Sequence, residues 1–338
     1  MTSRHPSSSG RRQKGAALLT AMVIVTMVTT IAASMVWQQW RAVQVESAER
    51  SLVQSKWILR GALDWGRLIL REDGRTPGLD HLGEPWAVEL AEARLSSFLA
   101  ADKDNTDDAP EAFMSGRITD LTGRYNLLNL IDKSSGLPDP KQVDLFKRLC
   151  EYAGLSPSLA DAIAAALRKA VLASVSDNAE MLEKLGGASA RDAAPVMPQT
   201  VDQMVWLGLD AGTIERLRPF VVLLPESTAV NINTAPREVL AAVLAPVGGD
   251  LSRADRIIQH RQRNPFKSPD DLKDVLGNVN LSDVNISVAS DFFQIQGRLR
   301  LQDRVVEQQY VVKRNGNEVK ILFENRYYGV ESVAAAKP

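Results

Sequence analysis

The stretch GAALLTAMVIVTMVTTIAASMV, residues 15–36, decides how this chain is organised. From Ala16 to Val36 it holds twenty-one consecutive residues without a charged side chain. A helix rises about 1.5 Å per residue, so this segment would be about 31 Å long and would match the hydrocarbon core of a bilayer. Residues 16–36 are therefore predicted to form a single transmembrane helix.

The flanks of this segment indicate its direction across the membrane. Four basic residues and no acidic residue precede it, and Trp37, Trp40 and Arg41 follow it. Because basic residues stay on the cytoplasmic side and tryptophan favours the membrane interface, the N-terminus is predicted to be cytoplasmic and the remainder to be exported. The alternative is a secretory signal peptide with a cleavage site near Ala33, but the apolar core of such a peptide is only about 7 to 15 residues long.

The junction at Gly15 gives a second reason to prefer an anchor. A basic leader, a glycine and then an apolar helix resemble the signal of type IV pilins and type II secretion pseudopilins. In those proteins a prepilin peptidase cuts after the glycine and usually methylates the new amine. The resemblance implies that residues 1–15 are a leader, that cleavage separates Gly15 from Ala16, and that the mature chain is an inner-membrane protein.

Thr20 is the fifth residue of that mature chain. Most pilin-like subunits have a glutamate there, which pairs with the amine of a neighbouring subunit inside the membrane. A buried carboxylate without a partner costs several kcal/mol, whereas the hydroxyl of Thr20 can bond to the carbonyl four residues earlier. The uncharged position is a feature of K-type minor pseudopilins, and it predicts a subunit that can be first in a filament.

Composition and charge exclude several kinds of protein. The chain of 338 residues has 40 basic and 41 acidic side chains, and removal of residues 1–15 leaves 36 basic against 41 acidic. This small acidic excess gives no sign of nucleic-acid binding. The single cysteine, Cys150, cannot form an internal disulfide, so the exported part must be held by apolar packing, with Cys150 itself buried in a helix.

A helical pattern continues beyond the membrane segment. Residues 37–72 have no helix breaker, and apolar or small residues recur at spacings of three and four. They are predicted to form the periplasmic part of one long helix, a stalk whose stripe packs on the subunit's own sheet or on partners. The stripe consists of Val45, Ala48, Leu52, Ser55, Leu59, Ala62, Gly66 and Ile69.

The remaining chain is predicted to alternate between strand and helix. Residues 73–132 would form the first part of a small domain, with a helix at LAEARLSSFLA (90–100) and a hairpin around Thr122 and Gly123. Residues 133–285 would be a helical lobe. Residues 286–330 alternate between apolar and polar around an NGN turn at 315–317, which indicates antiparallel strands with one wet face, and 331–338 would be a flexible tail.

Three further motifs extend the resemblance over the full length. They are DHLGEPW (80–86), LTGRYNLLNL (121–130) and LRPFVVLLPESTAVNINTAPREVLAAV (217–243). With the Gly15 junction they are similar to general secretion pathway protein K, the K-type minor pseudopilins of bacterial type II secretion systems.

This family resemblance implies a fold and a function. The fold is α+β and pilin-like: a long N-terminal helix packs on a small antiparallel sheet, and a large all-α lobe with a helix-hairpin-helix, SAM-like segment is inserted. The implied function is to start or cap the pseudopilus at its tip, so that folded proteins are exported across the outer membrane. The implied partners are the I- and J-type minor pseudopilins, other pseudopilins and the prepilin peptidase; binding of secreted proteins is left open.

Metal binding is not expected. Many members of the family have an acidic, calcium-like loop in the lobe, but LADAIAAALRKAVLASVSDNAEML (159–182) keeps Asp161 and has Ala, Arg and Lys where the other acids would be. The loop at 102–111 lacks the glycine and the final glutamate of an EF-hand. Its acids are weak candidates only: Asp102, Asp104, Asp107 and Asp108.

A rival interpretation concerns residues 231–280. They also resemble the helix-hairpin-helix module of membrane-anchored DNA-uptake proteins, which binds phosphate through backbone amides. Seven basic residues face six acidic ones in this range, and such balance is not typical of a DNA-binding surface. We therefore expect a helical unit for protein contact and no nucleic acid, with DNA binding as the alternative function.

Catalysis is not expected either. The pair Gly10 and Gly15 lacks the lysine and hydroxyl residue that follow a phosphate-binding loop. His81 and His260, the histidines outside the leader, have no zinc-ligand spacing with Cys150.

Overall fold

The computed structural model describes residues 10–75, 78–95, 112–132, 134–174, 183–184, 188–277, 279–301 and 304–330. The chain consists of two compact units, Met1–Arg60 and Gly61–Pro338.

Helix α1 spans Gly10–Asp73, 64 residues without a proline. It includes the predicted membrane segment and stalk, and it begins within the predicted leader. It ends at Gly74, whose amide donates to the Leu70 carbonyl oxygen, and Arg71 lies in its last turn, where a cation is favoured by the helix dipole. The single long helix predicted for residues 16–72 is thus present.

A five-stranded antiparallel sheet has the order β1–β2–β7–β8–β9. Its strands are β1 (Leu90–Arg94), β2 (Ala112–Asp120), β7 (Phe292–Leu301), β8 (Arg304–Asn315) and β9 (Glu318–Val330). Strand β2 pairs with β7 from Ala112 opposite Leu301 to Asp120 opposite Phe293. Strands remote in sequence therefore share one sheet, and the predicted NGN turn joins β8 to β9 with Gly316 at φ +55°.

Alternation gives this sheet two different faces. One face carries Phe293, Ile295 and Tyr310, which pack with Leu63 and Leu70 from the last turns of α1. The backbones approach closely at Gly66, where an added Cβ would lie 2.7 Å from Cγ2 of Ile295. The opposite face carries Phe292, Gln294 and Gln296 of β7 and Gln309 of β8.

The chain between β2 and β7 forms the lobe. Its helices are α2 (Pro140–Tyr152), α3 (Ser158–Ser174), α4 (Ala188–Asp192), α5 (Ala211–Leu217), α6 (Arg237–Val243), α7 (Leu251–Arg263) and α8 (Lys273–Leu276). Two short parallel pairs join its segments: β3 (Tyr125–Asn126) with β4 (Val221–Val222), and β5 (Val230–Asn231) with β6 (Ile286–Ser287). Its core includes Phe146, Leu240 and the predicted buried Cys150, and burial raises the pKa of that thiol to about 12.

Two local predictions were wrong. Leu90–Arg94 forms the edge strand β1 instead of a helix, because β2 offers free backbone groups with which it pairs, Leu90 opposite Gly116 and Arg94 opposite Phe113. No hairpin forms at Thr122 and Gly123, because the chain leaves the sheet there and Tyr125 pairs in parallel with Val221. Residues 125–131, assigned from the sequence to the first part of the small domain, contribute to the core of the lobe.

A buried carboxylate joins the sheet to the lobe. Asp120, at the end of β2, is 5% exposed. Its Oδ1 accepts from the amide and hydroxyl of Thr122 at 2.8 and 2.7 Å, and its Oδ2 accepts from the hydroxyls of Ser290 at 2.7 Å and Thr234 at 2.5 Å and from the Asn231 amide at 3.3 Å. A side chain at Gly123 would collide with the Thr234 hydroxyl, because its Cβ would lie 2.7 Å away.

An arginine closes the same junction from β8. Arg314 Nη2 donates to Asp80 Oδ1 at 2.5 Å and to the Ser290 carbonyl oxygen at 2.9 Å, and Nη1 pairs with Asp73. Asp80 Oδ2 accepts from the Ser290 amide at 2.7 Å. Burial raises the pKa of Asp80 to about 6, and the Arg314 charge opposes that shift. The Arg314 charge and the Ser290 amide both offset part of the desolvation and favour the ionised carboxylate.

We expect Gly66→Leu to destabilise the protein and Gly61→Leu, in the same helix, to leave it unchanged or more stable. The Gly66 side chain would overlap Ile295, whereas nothing lies within 4 Å of a Cβ at Gly61. Overpacking costs about 1–3 kcal/mol, and replacing an exposed helical glycine gains up to about 1 kcal/mol. Thermal unfolding of the detergent-solubilised full chain, followed by near-ultraviolet circular dichroism, measures both. Equal shifts in the two variants would contradict the close helix–sheet approach.

We expect Arg314→Met to cost about 3–5 kcal/mol near pH 8, because it leaves the buried Asp80 and the partly buried Asp73 without their cation. The pKa of Asp80 then rises further above its unfolded value of 3.8. A raised folded pKa means that the folded state binds the proton more tightly, so the variant should recover stability as the pH falls to about 5. Urea unfolding at several pH values measures this.

The control for Arg314→Met is Lys313→Met, one residue away. Lys313 pairs with Glu226 at 2.5 Å, and both side chains are more than a third exposed, so we expect a cost of about 1 kcal/mol or less without this pH dependence. Parallel pH profiles for the two variants would contradict the assigned role of Arg314.

Candidate functional site

The membrane segment of α1 leaves its hydroxyl groups satisfied by its own backbone. Thr20 Oγ1 donates to the carbonyl oxygens of Ala16 at 3.0 Å and Ala17 at 2.9 Å. Thr26, Thr29 and Thr30 form the same kind of bond. The hydrogen bond predicted for Thr20 is therefore present, and this part of the helix enters lipid without an unpaired polar side chain.

The length and composition of α1 suit a bilayer. Its most apolar window has a mean hydropathy of 2.2 and is not buried within the protein. Trp37 and Trp40 follow, with ring centroids 5.5 Å apart and exposures of 64% and 56%. Such a pair is typical of an interface anchor. Gly15 and Ala16 lie within the helix, and the peptide bond between them is the predicted cleavage point.

The predicted stripe on the stalk is exposed in its first half and becomes buried towards its end. Val45 and Leu52 are 51% and 42% exposed, whereas Leu59 is fully buried. The half-buried members are Ala48, Ala62 and Ile69. Beyond Gly61 the buried line runs through Leu63, Gly66 and Leu70, one residue later than Ala62 and Ile69. The structure leaves the first half of the stripe available to a partner.

The described part of the chain holds one cluster of carboxylates, which does not include the acidic candidates predicted from the sequence. Asp102, Asp104, Asp107 and Asp108 lie outside the described residues. Elsewhere Asp73, Asp80 and Glu84 have carboxylate oxygens within 4.8 Å of one another, but Arg314 already pairs with the first two. Glu84 accepts from the Trp86 indole at 2.7 Å and the His81 amide at 2.9 Å, so this set is neutralised by protein donors and does not fit a cation.

The helix-hairpin-helix segment uses its own polar groups internally. The Asp250 carboxylate accepts from the Arg253 amide at 2.7 Å, which occupies the helix N-terminus that a phosphate would need. Arg237 forms a two-bond pair with Asp255. Arg261 donates to the carbonyl oxygens of Ile232 and Ala235, and burial lowers its pKa to about 10. This geometry favours a structural unit over a DNA-binding surface.

The residues of the Asp120 junction were not selected from the sequence as functional. DHLGEPW supplies Asp80, LTGRYN supplies Thr122, and VNINTA supplies Asn231 and Thr234. In the sequence analysis these motifs supported only the family resemblance. The only sequence signal for their shared hydrogen bonding is that polar residues lie at strand ends. No local pattern links them, because Asp80 and Ser290 are 210 positions apart in the chain.

Comparisons with known proteins agree with this architecture. Two family models described as type II secretion system protein K match residues 123–226 and 230–296. A curated relative from Pseudomonas aeruginosa, named type II secretion system protein K, is 33% identical over 87% of this chain and 86% of its own length. One of the same name from Pectobacterium carotovorum is 26% identical over 95% of this chain and 98% of its own.

A solved structure is similar in fold. It is a chain in the crystal structure of the GspK-GspI-GspJ complex of the enterotoxigenic Escherichia coli type 2 secretion system. The TM-score is 0.61 at 16% identity, covering 83% of this chain and 98% of that chain. This likeness confirms the pilin-like α+β fold. Given the Pseudomonas relative and the two family models, the chain belongs to the type II secretion system protein K family.

Proposed function

We propose that this minor pseudopilin occupies the tip of the type II secretion pseudopilus, where it starts or caps assembly for the export of folded proteins. The observation that carries the proposal is the membrane helix. At its fifth position after Gly15 it has a threonine bonded to its own backbone, so it enters the membrane without a carboxylate that needs an amine from a preceding subunit.

The lobe supports the same position. Residues 121–291, about half of the chain, lie between two paired strands of the sheet. An insert of this size on a small sheet would obstruct a further subunit stacked above it, so a terminal place is the one that tolerates it.

The same proposal includes processing, location and partners. The prepilin peptidase would cut after Gly15 and the amine of Ala16 would be methylated. The chain would cross the inner membrane once, with its N-terminus cytoplasmic and its sheet and lobe periplasmic. The partners would be I- and J-type minor pseudopilins, which assemble with the K protein in the complex of similar fold, and they would contact the exposed Val45 and Leu52 side of α1. Members of this family are pseudopilins and are not known as enzymes.

We expect Thr20→Glu to lower pseudopilus initiation strongly, because a carboxylate without an amine partner is costly in lipid. Thr20→Val, which removes the hydroxyl but adds no charge, is the matched control and should retain initiation. The measurement is the number of pseudopili per cell with the other pseudopilins held constant. If Thr20→Glu initiates as many filaments as the unchanged protein, the tip proposal is wrong.

We expect the mature protein to begin at Ala16, as read by mass spectrometry of its N-terminal peptide. Gly15→Val should leave residues 1–15 attached, because a side chain at the junction obstructs a narrow peptidase cleft. Gly10→Val, a change at the other glycine of the leader, should be processed normally. A mature end near Met35 would instead indicate ordinary signal-peptide cleavage.

A further inference from the structure

A cleft of about 700 Å³ separates the lobe from the glutamine-bearing face of the sheet. The lobe contributes the segment from Gln199 to Asp202 and the start of the β4 region, and the sheet contributes side chains from four strands. The charged side chains that line it are Arg117, Arg124, Arg218, Asp202 and Glu307.

The two acids of the cleft are already bonded. Asp202 accepts from Arg218 Nη2 at 2.5 Å, and Arg218 is also paired with Glu215 at 2.8 Å. Glu307 accepts from the side-chain amides of Gln296 and Gln309, each at 2.6 Å. Neither acid bonds to Arg124.

Arg124 is the cation of the cleft that neither of these acids binds. It follows Gly123 at the base of the lobe and is half-buried, and among the residues with described positions its guanidinium has no hydrogen-bond or ion-pair partner. Asp120 lies near enough to act on it electrostatically, but the oxygens of that carboxylate accept from Thr122, Ser290 and Thr234. Burial, together with the charges of Arg117 and Arg218, lowers the pKa of Arg124.

A carboxylate is the group that best completes this site. A half-buried guanidinium offers paired donors that match a carboxylate, and Arg117, exposed on β2 and bonded to Gln296 only through Nε, has further donors beside it. The volume and mixed lining of the cleft fit several residues of an extended peptide better than a free anion. Tyr327, 46% exposed, adds an aromatic surface beside the charges.

We propose that this cleft binds a carboxylate-bearing peptide segment of a partner protein, with Arg124 as its anchor and Arg117 as a second donor. This surface lies on the lobe and sheet and goes beyond the tip function, which rests on α1. Its failure is distinguishable from failure of that function, because binding is measured on the isolated chain without filament assembly.

The experiment uses the full chain in an uncharged detergent and a fluorescein-labelled peptide of alternating glutamate and glycine, with the glutamine–glycine peptide for comparison. Fluorescence anisotropy should show binding of the glutamate peptide and much weaker binding of the glutamine peptide. Arg124→Met should weaken the glutamate peptide by about tenfold or more, the usual cost of a charge-assisted pair. Arg256→Met removes the same charge from an exposed position of α7 and should change nothing.

Arg117→Met provides a second test if Arg124→Met fails to fold, since Arg117 is exposed on a paired strand; it should also weaken the glutamate peptide. Equal binding of the two peptides, or equal loss in Arg256→Met and the cleft variants, would overturn the proposal. Displacement of the peptide by an equal concentration of inorganic phosphate would assign the cleft to free anions and overturn it as well.

Discussion

The junction around Asp120 is the interaction on which the sheet and the lobe both depend. The chain must leave the sheet at the end of β2 and return at β7, and both crossings place polar backbone in a dry interior. Asp120 resolves this by accepting from Thr122, Ser290, Thr234 and Asn231, so that one carboxylate joins segments from both crossings. A buried polar group with this many partners specifies one arrangement, because any slip would leave several donors unpaired.

The motifs that carry the family resemblance are far apart in sequence but meet at this junction. Asp80 precedes β1, Thr122 follows β2, and Asn231 and Thr234 lie within the lobe. The structure brings them together beside Ser290 and Arg314. The two family models match residues 123–226 and 230–296. The parts of the chain that the two family models match are therefore the inserted lobe and its return to the sheet.

Sequence reasoning succeeded where the physical constraint is local. Helix α1 followed from an uninterrupted apolar run, the Thr20 hydrogen bond from helix geometry, and β7 to β9 from alternation around the NGN turn. It failed where pairing partners decide the outcome. Leu90–Arg94 has helical propensity but is drawn into the sheet by the free edge of β2, and the turn at Thr122 and Gly123 gives no local sign that the chain departs into a lobe. Arg124 was overlooked for the same reason: its lack of a partner depends on residues about 90 and 180 positions away in the chain.

The pairing of β2 with β7 has a consequence for the order in which this protein acquires its shape. As the chain is synthesised from its N-terminus, β2 is complete long before β7, and about 170 residues must follow before its partner strand is made. Closing so long a loop is slow when the loop is a random coil. A lobe that condenses first shortens the effective distance to a few residues, since Asp120 and Phe293 lie opposite each other. The lobe would then fold before the sheet and hold β2 and β7 close enough to pair, so the sheet would be completed last.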